Sequence, residues 1–198
     1  MQSSFRYFDK TRWKNTPQDC FWATGAAMFI RSGVWRDFGG FDADYFAHNE
    51  EIDLCWRLKR AGYRVVCEPS SVVFHLGGGT LDYESPRKVF LNFRNSLFSI
   101  LKNEPTGKLL WLIPLRFLLD GLAGIVFLIK GKNSSFWAII RAHFSFYGQY
   151  FATLRKRHLT NQIVEKHRIA PIDRAGVYPK SIVWKYFVAR IRRFSELF

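Results

Sequence analysis

The sequence has few cysteines, and their spacing is unlike that of metal ligands. Its 198 residues contain three, Cys20, Cys55 and Cys67, with no CxxC pair among them. We therefore expect small buried apolar side chains in a reducing compartment rather than disulfides or a zinc site. The first 13 residues, MQSSFRYFDKTRW, lack the apolar stretch of a secretory signal and any rhythm of strands and helices. This start predicts that the chain was cut from something longer.

Acidic residues are scarce in one part of the chain only. Residues 1–85 hold 10 Lys and Arg against 11 Asp and Glu, whereas residues 86–198 hold 20 against 5, a net charge of +15. The first part has the balance of an ordinary globular domain. The second is expected to meet a polyanion, either nucleic acid or the anionic face of a bilayer. With 48% hydrophobic and 18% aromatic residues, a disordered chain is excluded.

The first 85 residues alternate between strand and helix patterns. Residues 20–31 are apolar with small residues in the middle, which predicts a buried strand. Residues 34–38 predict a short helix, and Asn49 is placed to cap a second helix over residues 50–61. The segments YRVVCEP and SSVVFHL then predict two short strands.

The pattern becomes helical beyond residue 85, where we place a domain boundary. Residues 86–102, 134–159 and 181–198 predict helices, the first with Pro86 in its first turn. Residues 108–130 are nearly continuous apolar sequence. We expect two domains: a globular piece over 1–85, and a basic, aromatic-rich helical region over 86–198.

Two of these segments suggest contact with a membrane. Residues 109–129 are long enough to span a bilayer. Their 14 Leu, Ile, Val and Phe, at roughly −0.3 to −0.6 kcal/mol each, are nearly offset by Arg116 and Asp120 at about +2.5 to +3.5 kcal/mol each. A helix lying in the interface therefore fits better than a span, and 181–198, apolar on one face and basic on the other, has that pattern. The alternative is a soluble helical bundle with a basic outer surface.

Three carboxylates, Glu50, Glu51 and Asp53, fall in the first turn of the helix predicted over residues 50–61. At about 100° per residue, Glu51 shares a face with apolar residues, whereas Glu50 and Asp53 share a solvated face with Arg57. A carboxylate at the edge of a pocket is the kind of group that serves as a general base. Burial would raise its pKa and the helix N-terminus would lower it. Acidic residues in a first turn are also ordinary capping chemistry, so both interpretations stay open.

Several motifs in order resemble one enzyme family. TGAAMFIR, GGFD, NEEIDLCWRLKRAGYRVVCEPSSVVFH and GGGT resemble the second half of the catalytic domain of bacterial family 2 glycosyltransferases, particularly the rhamnosyltransferase-like branch. The resemblance covers most of residues 18–160. It implies an α/β fold of the GT-A, Rossmann-like type, of which this chain would carry the C-terminal, acceptor-side half, followed by amphipathic, membrane-associated helices.

The resemblance assigns the acid pair a catalytic role. The family has a Glu-Asp pair at the start of this helix, whose second acid deprotonates the acceptor hydroxyl. The matching pair here is Glu50-Glu51, so Glu51 takes that role and Glu50 is the second candidate; Glu51 is one methylene longer than the family's Asp. Asp53 matches an acidic position that orients the acceptor or supports the loop.

Further positions are assigned by the same motifs. Thr24 and Gly25 match a turn that lines the acceptor pocket. His75 matches a position that in some members helps to bind the divalent cation or the diphosphate, although a single His at a strand end is also a common structural residue. Gly77, Gly78 and Gly79 would form a loop near the donor phosphates, since glycines let the backbone approach them closely.

Asp42-Ala-Asp44 has the letters of the family's DxD motif for metal and diphosphate but the wrong position, because that motif lies upstream of the segments matched here. We interpret Asp42 as an acceptor-side loop or capping residue and expect no metal at this pair.

The implied enzyme transfers a sugar from a nucleotide-diphosphate donor, with inversion and with Mg or Mn, to a cell-surface glycan or lipid-linked acceptor. It would act at the cytoplasmic face of the bacterial inner membrane, held to the anionic membrane surface. Because the nucleotide-binding strands and the DxD motif are not found in the sequence, we expect the chain to be inactive alone, with the N-terminal half as a missing partner. The alternatives are a non-catalytic membrane scaffold and a nucleic-acid-binding module; no nucleic-acid motif accompanies the charge, so nucleic acid is not the expected partner.

Overall fold

A computed structural model describes residues 16–74 and 85–191 of the chain. These residues are mostly helical, with a small antiparallel sheet of two strands, in which Gln18 pairs with Cys67. Short 3-10 turns lie at Gly25–Ala27 and Ala43–Tyr45. The strands are β1 (Gln18–Asp19) and β2 (Val66–Cys67), and the helices are α1 (Ser32–Asp37), α2 (Glu50–Arg60), α3 (Pro86–Asn103), α4 (Thr106–Ile129), α5 (Asn133–Gly148), α6 (Tyr150–Lys166) and α7 (Ile182–Phe187).

The strand predicted over residues 20–31 is wrong. A strand needs a neighbouring strand to satisfy its backbone groups. Among the described residues, β2 provides that pairing for β1, and one more bond of 2.9 Å, from Cys20 N to the Val65 carbonyl, extends it. Residues 21–31 form no strand and include the turn at Gly25–Ala27. For the same reason the predicted strand over SSVVFHL is absent from its described part, residues 70–74.

The helices predicted over residues 34–38 and 50–61 are confirmed as α1 and α2. The predicted capping by Asn49 is wrong, because Asn49 has φ +72 and its side chain makes no capping hydrogen bond. Gly62 closes α2 with φ +86, a conformation that favours glycine. A β-carbon at Gly62 would lie 2.5 Å from the Ala170 carbonyl oxygen, so the chain beyond α6 packs directly on this turn.

The helical region differs from its prediction at two joints. The single helix predicted over 134–159 is two helices, α5 and α6, because α5 ends at Gly148, a residue of low helix propensity. Gln149 follows in a non-helical conformation, and its backbone N–H donates to the Ser145 carbonyl over 3.2 Å. The helix predicted over 181–198 is described only as the six residues of α7, and residues 192–198 lie outside the described part of the chain.

Two hydrophobic clusters form the core. The first joins Phe38 and α2 to α6, and the second joins Tyr45 to α3 and α5. Both clusters combine residues from either side of position 85, where the domain boundary stays a prediction. Helix α3 packs against α2, α4, α5 and α6 and is therefore central to the packing of the helices. The buried members of the two clusters are Phe38, Leu54, Leu58, Ala61 and Val164 in the first, and Tyr45, Leu97, Phe98, Leu101 and Phe146 in the second.

Candidate functional site

The acid pair at the start of α2 follows a loop that α3 holds rigidly. Asn95 is fully buried, and its amide nitrogen donates to the carbonyls of Tyr45, Ala47 and His48 over 2.7 to 2.9 Å. Arg94 donates to the Asp44 carbonyl over 2.9 Å. These bonds hold a backbone that has positive φ at Phe46, His48 and Asn49, a costly conformation for residues with a side chain. The loop therefore fixes the start of α2 and, with it, the positions of Glu50 and Glu51.

Glu51 faces the turn that contains Thr24 and Gly25. A β-carbon built on Gly25 would lie 3.9 Å from the Glu51 β-carbon and 4.0 Å from the ring of Phe41. Thr24 and Gly25 are themselves exposed to solvent. The structure thus brings together three predicted site residues, Thr24, Gly25 and Glu51, at a position that solvent reaches.

Glu51 carries a carboxylate that is partly removed from water. Its side chain lies on the apolar side of α2, as the helical spacing predicts, next to buried Leu54 and Cys55. One of its carboxylate oxygens, Oε2, is buried and has no hydrogen-bond partner among the described residues. Burial raises the pKa of Glu51, its own backbone N–H opposes that shift, and the charge of Glu50 adds to it. Of the two opposing effects recognised in the sequence, burial is therefore the stronger.

Two more buried polar atoms lie close to Glu51 in sequence. Glu50 Oε2 and His48 Nε2 have no hydrogen-bond partner among the described residues. Burial and the nearby Lys88 lower the pKa of His48, whereas Glu50 acts in the opposite direction. The loop and the first turn of α2 thus present three polar groups with unused hydrogen-bonding capacity. Such groups are typical of binding sites, because buried polar groups in a hydrophobic core normally have partners.

Asp53 lies in the interior rather than on a solvated face. It is fully buried, and four side chains donate to its carboxylate: Tyr45 over 3.2 Å, Arg57 over 2.9 Å, Lys102 over 2.9 Å and Asn103 over 2.8 Å. The prediction of a solvated face was wrong because α3 covers this side of α2. These contacts favour the loop-supporting role of Asp53 over orientation of the acceptor, since every oxygen already accepts from the protein.

Arg57 extends the same network to the GGFD turn. Its guanidinium donates to the carbonyl of Gly40 over 2.8 Å and also to the carbonyl of Phe38. Since Arg57 is itself held by Asp53, the carboxylate of Asp53 indirectly fixes the turn that precedes Asp42. The network was missed in the sequence because its members are far apart; the spacing of Asp53 and Arg57, four residues on a helix, was the one signal available.

Asp42 is engaged by two lysines. Lys102 Nζ lies 2.8 Å from its Oδ2, and Lys156 Nζ lies 2.5 Å from its Oδ1. Burial raises the pKa of Asp42, but the two lysines prevail and hold it at about 2. Its Oδ1 also accepts from the Asp44 backbone N–H over 3.1 Å, the capping contact that the sequence suggests. Lys156 pairs with Asp44 as well, over 2.6 Å, so both carboxylates of the Asp-Ala-Asp sequence are neutralised by protein cations.

The predicted metal and donor-phosphate residues cannot be placed. His75, Gly77, Gly78 and Gly79 lie outside the described residues. Within 16–74 and 85–191, no group of three or more His, Cys, Asp or Glu side chains is arranged to hold a metal ion. Because Asp42 and Asp44 already pair with lysines, they do not fit a divalent cation, and the metal site stays a prediction that concerns His75.

A cleft of about 770 Å³, which Thr24 also lines, opens between residues 20–31, α2 and the segment that contains β2. Its size is in the range of small-molecule sites. All three cysteines line it, and all are free thiols; Cys55 is buried, Cys20 is half-buried and Cys67 is exposed. The expectation of buried cysteines is therefore wrong for Cys67, which lies on a strand at the edge of the small sheet. The lining includes Thr24, Met28, Cys55, Leu58, Tyr63 and Val65.

The sequence of this chain is similar to those of several known glycosyltransferases. The chain is 31% identical over 100 residues to an N-acetylglucosaminyl-diphospho-decaprenol L-rhamnosyltransferase of Mycobacterium tuberculosis, a match covering 50% of this chain and 32% of that protein. It is 48% identical over 50 residues to a pre-mycofactocin glycosyltransferase of the same organism, covering 25% of this chain and 10% of that protein. It is 39% identical over 54 residues to the rhamnosyltransferase WbbL of Escherichia coli, covering 27% of this chain and 20% of that protein. The chain thus spans a third or less of the length of these relatives.

No family model matches the chain, and no solved structure matches it significantly. The resemblance drawn from the motifs is nevertheless confirmed: the curated relatives are glycosyltransferases, with rhamnosyltransferases among them.

Proposed function

We propose that this chain is the acceptor-side part of an inverting glycosyltransferase of the GT-A type, with Glu51 as the base that deprotonates the acceptor hydroxyl. The observation that carries the proposal is the Glu51 carboxylate itself, which is half-buried beside the Thr24-Gly25 turn and has one oxygen without a partner among the described residues. Names of the relatives support transfer of a sugar, and two of them name rhamnose.

In the proposed reaction, Glu51 acts as the base in a single displacement at the donor sugar. Glu51 accepts the proton of the acceptor hydroxyl as the acceptor oxygen bonds to the anomeric carbon of the donor sugar. The bond from that carbon to the diphosphate breaks at the same time, and the nucleoside diphosphate leaves with the electron pair. Because burial raises its pKa, Glu51 is a stronger base than an exposed glutamate when it is deprotonated.

The other predicted site residues support this step. Thr24 and Gly25 would border the acceptor, and the ion pairs of buried Asp53 and half-buried Asp42 would hold the surrounding loops. A divalent cation, Mg or Mn, would offset charge on the leaving diphosphate when bound. We assign that cation and the nucleotide-diphosphate sugar to residues outside those described here, including His75 and Gly77, Gly78 and Gly79.

The acceptor we propose is a glycan or a lipid-linked sugar at the cytoplasmic face of the bacterial inner membrane. The mycobacterial relative is named for an acceptor sugar on a diphospho-decaprenol lipid. In this chain, the excess of positive charge after residue 85 and the helix over Thr106–Ile129, which is long and apolar enough to cross a membrane, are consistent with an acceptor presented by a membrane.

A first experiment tests the 198-residue chain alone. It is incubated with a panel of nucleotide sugars, Mg or Mn and a bacterial lipid extract, with donor hydrolysis as the background. We expect no transfer and no nucleotide binding, since the nucleotide-binding strands and the DxD motif of such enzymes are not among the motifs found in this sequence. Transfer by the chain alone would overturn this expectation.

A second experiment tests Glu51 in a chimaera that joins the donor-binding part of the mycobacterial rhamnosyltransferase to this chain. Glu51→Gln should lower the rate of transfer by roughly 10²- to 10⁴-fold, the usual effect of a general base. Glu50→Gln is the matched control and should retain most of the rate. Unchanged transfer by Glu51→Gln would reject Glu51 as the base, and loss of transfer in Glu50→Gln would assign that role to Glu50.

A further inference from the structure

Helix α4 presents one long face that is apolar and open to solvent. We call the 11 exposed residues of this helix between positions 109 and 129 the outer face; none of them is charged or polar. At its two ends, Leu110 and Ile129 are 82% and 80% exposed. The outer face consists of Leu110, Trp111, Pro114, Leu115, Leu118, Gly121, Leu122, Ile125, Val126, Leu128 and Ile129.

The two charges that weigh against membrane contact in the sequence are both on the opposite face. Asp120 is buried between α4 and α5, where Arg116 pairs with it over 2.6 Å and His143 contacts it over 3.0 Å. The Arg116 guanidinium also lies 5.5 Å from the centre of the Phe93 ring. Because these polar groups bond to one another on the side of α4 that faces the rest of the protein, the outer face carries none of their cost.

The inner face of α4 is packed along its length. Leu109, Ile113 and Phe117 pack against the second core cluster, and Gly124 lies against the ring of Phe136 on α5. The neighbouring helix α5 exposes Arg141 and two hydroxyl side chains, Ser134 and Tyr147. If α4 crossed the bilayer, α5 would enter the bilayer together with it, and the exposed Arg141 would lie among the lipid chains. A helix α4 that lies on the membrane would bury the outer face alone.

The groups around the outer face suit the interface of an anionic membrane. The exposed lysines Lys108 and Lys130 stand at the two ends of the apolar run. Trp111 belongs to the outer face, and Trp137 and Tyr147 of α5 are also exposed; Trp and Tyr are enriched where lipid meets water. The surplus of cations after residue 85 repels a second copy of the chain and attracts anionic lipids.

We propose that the outer face of α4 is the membrane-binding surface of this protein, with the helix axis parallel to the bilayer and the outer face buried in one anionic leaflet. The inference deepens the proposed location at a membrane but uses neither Glu51 nor any part of the transfer reaction. It also moves the main membrane contact from residues 181–198, which the sequence favours, to the helix over Thr106–Ile129.

The test is co-flotation of the full chain with vesicles of phosphatidylcholine alone or with one quarter phosphatidylglycerol. We expect flotation with the anionic vesicles, and a loss of at least tenfold in bound protein for the double variant Leu118→Glu/Leu122→Glu. These leucines are 63% and 52% exposed, so the fold should tolerate the change. The control is Val72→Glu/Val73→Glu, two exposed apolar residues elsewhere, which should bind like the unmodified chain.

Circular dichroism establishes that each variant is folded, and three results would overturn the proposal. Folded Leu118→Glu/Leu122→Glu protein that still floats would reject this surface. Vesicle-bound protein that resists alkaline carbonate would show a crossing helix instead of one lying in the plane. If the unmodified chain binds no vesicles and sediments as a dimer, and the same substitutions dissociate that dimer, the outer face would be assigned to a second copy of the chain. A failure of the unmodified chain to bind vesicles would not affect the proposed role of Glu51, because the chimaera can be assayed with a soluble acceptor.

Discussion

Gly25 lies directly against Glu51: a β-carbon added to the glycine would be 3.9 Å from the β-carbon of the glutamate. The two residues are 26 positions apart, one in a 3-10 turn and the other in the first turn of α2. The turn therefore lies against the base of the Glu51 side chain. The distance allows a methyl group there in ordinary van der Waals contact.

Substitution of Gly25 should separate folding from the use of the site. Gly25→Ala should change the free energy of unfolding by less than about 0.5 kcal/mol, because the methyl group fits. Gly25→Leu should also fold, since the turn is exposed, but its side chain should fill the space beside Glu51 and lower kcat/KM for the acceptor in the chimaera at least tenfold. Gly33→Leu is the control, because nothing lies within 4 Å of its added β-carbon. Equal activity of both leucine variants would mean that the acceptor does not approach this turn.

The pH dependence of transfer should report the environment of Glu51. A base acts only when deprotonated, so the rate should fall as the pH drops through the pKa of Glu51, which burial raises above the ordinary value of 4.5. Glu50→Gln removes a negative charge that also raises this pKa, and should move the acidic limb of the profile to lower pH. The measurement is kcat/KM of the chimaera from pH 4 to 8, corrected for stability. A limb that Glu50→Gln leaves in place would assign the titration to another group.

The helices were predictable because their signals are local. Pro86 marks the start of α3 in the sequence, and the structure adds a cap that was not predicted, since Ser85 accepts a hydrogen bond from the Lys88 backbone N–H over 3.2 Å. The face of α2 that contains Glu51 followed from helical spacing alone. Strands were overpredicted because their stability comes from partners that a local pattern cannot supply, as residues 20–31 illustrate.

The polar interior was not predictable from spacing. Asp53 meets Lys102 and Asn103 across 49 and 50 residues, and Asp42 meets Lys156 across 114. Such contacts depend on how α3 and α6 cross α2, which a single sequence does not encode in any short motif. The sign of the Glu51 pKa shift likewise required the balance between burial and the helix terminus, two effects of opposite direction.

Asp42 should make stability depend on pH in the acidic range. Its pKa is held at about 2 in the fold, below its ordinary value of 3.8, so its contribution is present above pH 3.8 and is lost as the pH falls towards 2. After allowance for screening by water, this contribution is about 1–2 kcal/mol. Asp42→Asn should lower the free energy of unfolding by this amount at pH 7 and by little at pH 2, as measured by urea denaturation.

Asp44→Asn is the matched control for Asp42. It makes the same change of charge two residues away and loses a contact with the same lysine, Lys156, but its carboxylate is 45% exposed. An exposed ion pair contributes little, so Asp44→Asn should change stability by less than about 1 kcal/mol at either pH. Equal effects of the two substitutions would show that the loss of one negative charge, and not the half-buried position of Asp42, determines the change in stability.

Asp53 should be the most sensitive polar position in the described part of the chain. Asp53→Asn keeps the shape of the side chain but removes the charge that Arg57 and Lys102 both contact, leaving two buried cations without their shared carboxylate. Removing one partner of a buried ion pair typically costs about 3–5 kcal/mol. We expect a loss of that size, or failure to fold at 37 °C, measured by urea denaturation or by soluble yield.

Tyr45→Phe is the companion variant, because it removes only the hydroxyl that donates to Asp53 over 3.2 Å and contacts Ser99 over 3.0 Å. The loss should be about 1 kcal/mol, the usual net value of a hydrogen bond. In the chimaera, Tyr45→Phe should leave both the pH profile of transfer and the KM for the acceptor unchanged, because the Tyr45 hydroxyl bonds to Asp53 in the interior. If Asp53→Asn folded normally and raised KM for the acceptor instead, Asp53 would be an acceptor-binding residue and not the anchor of the loop before α2.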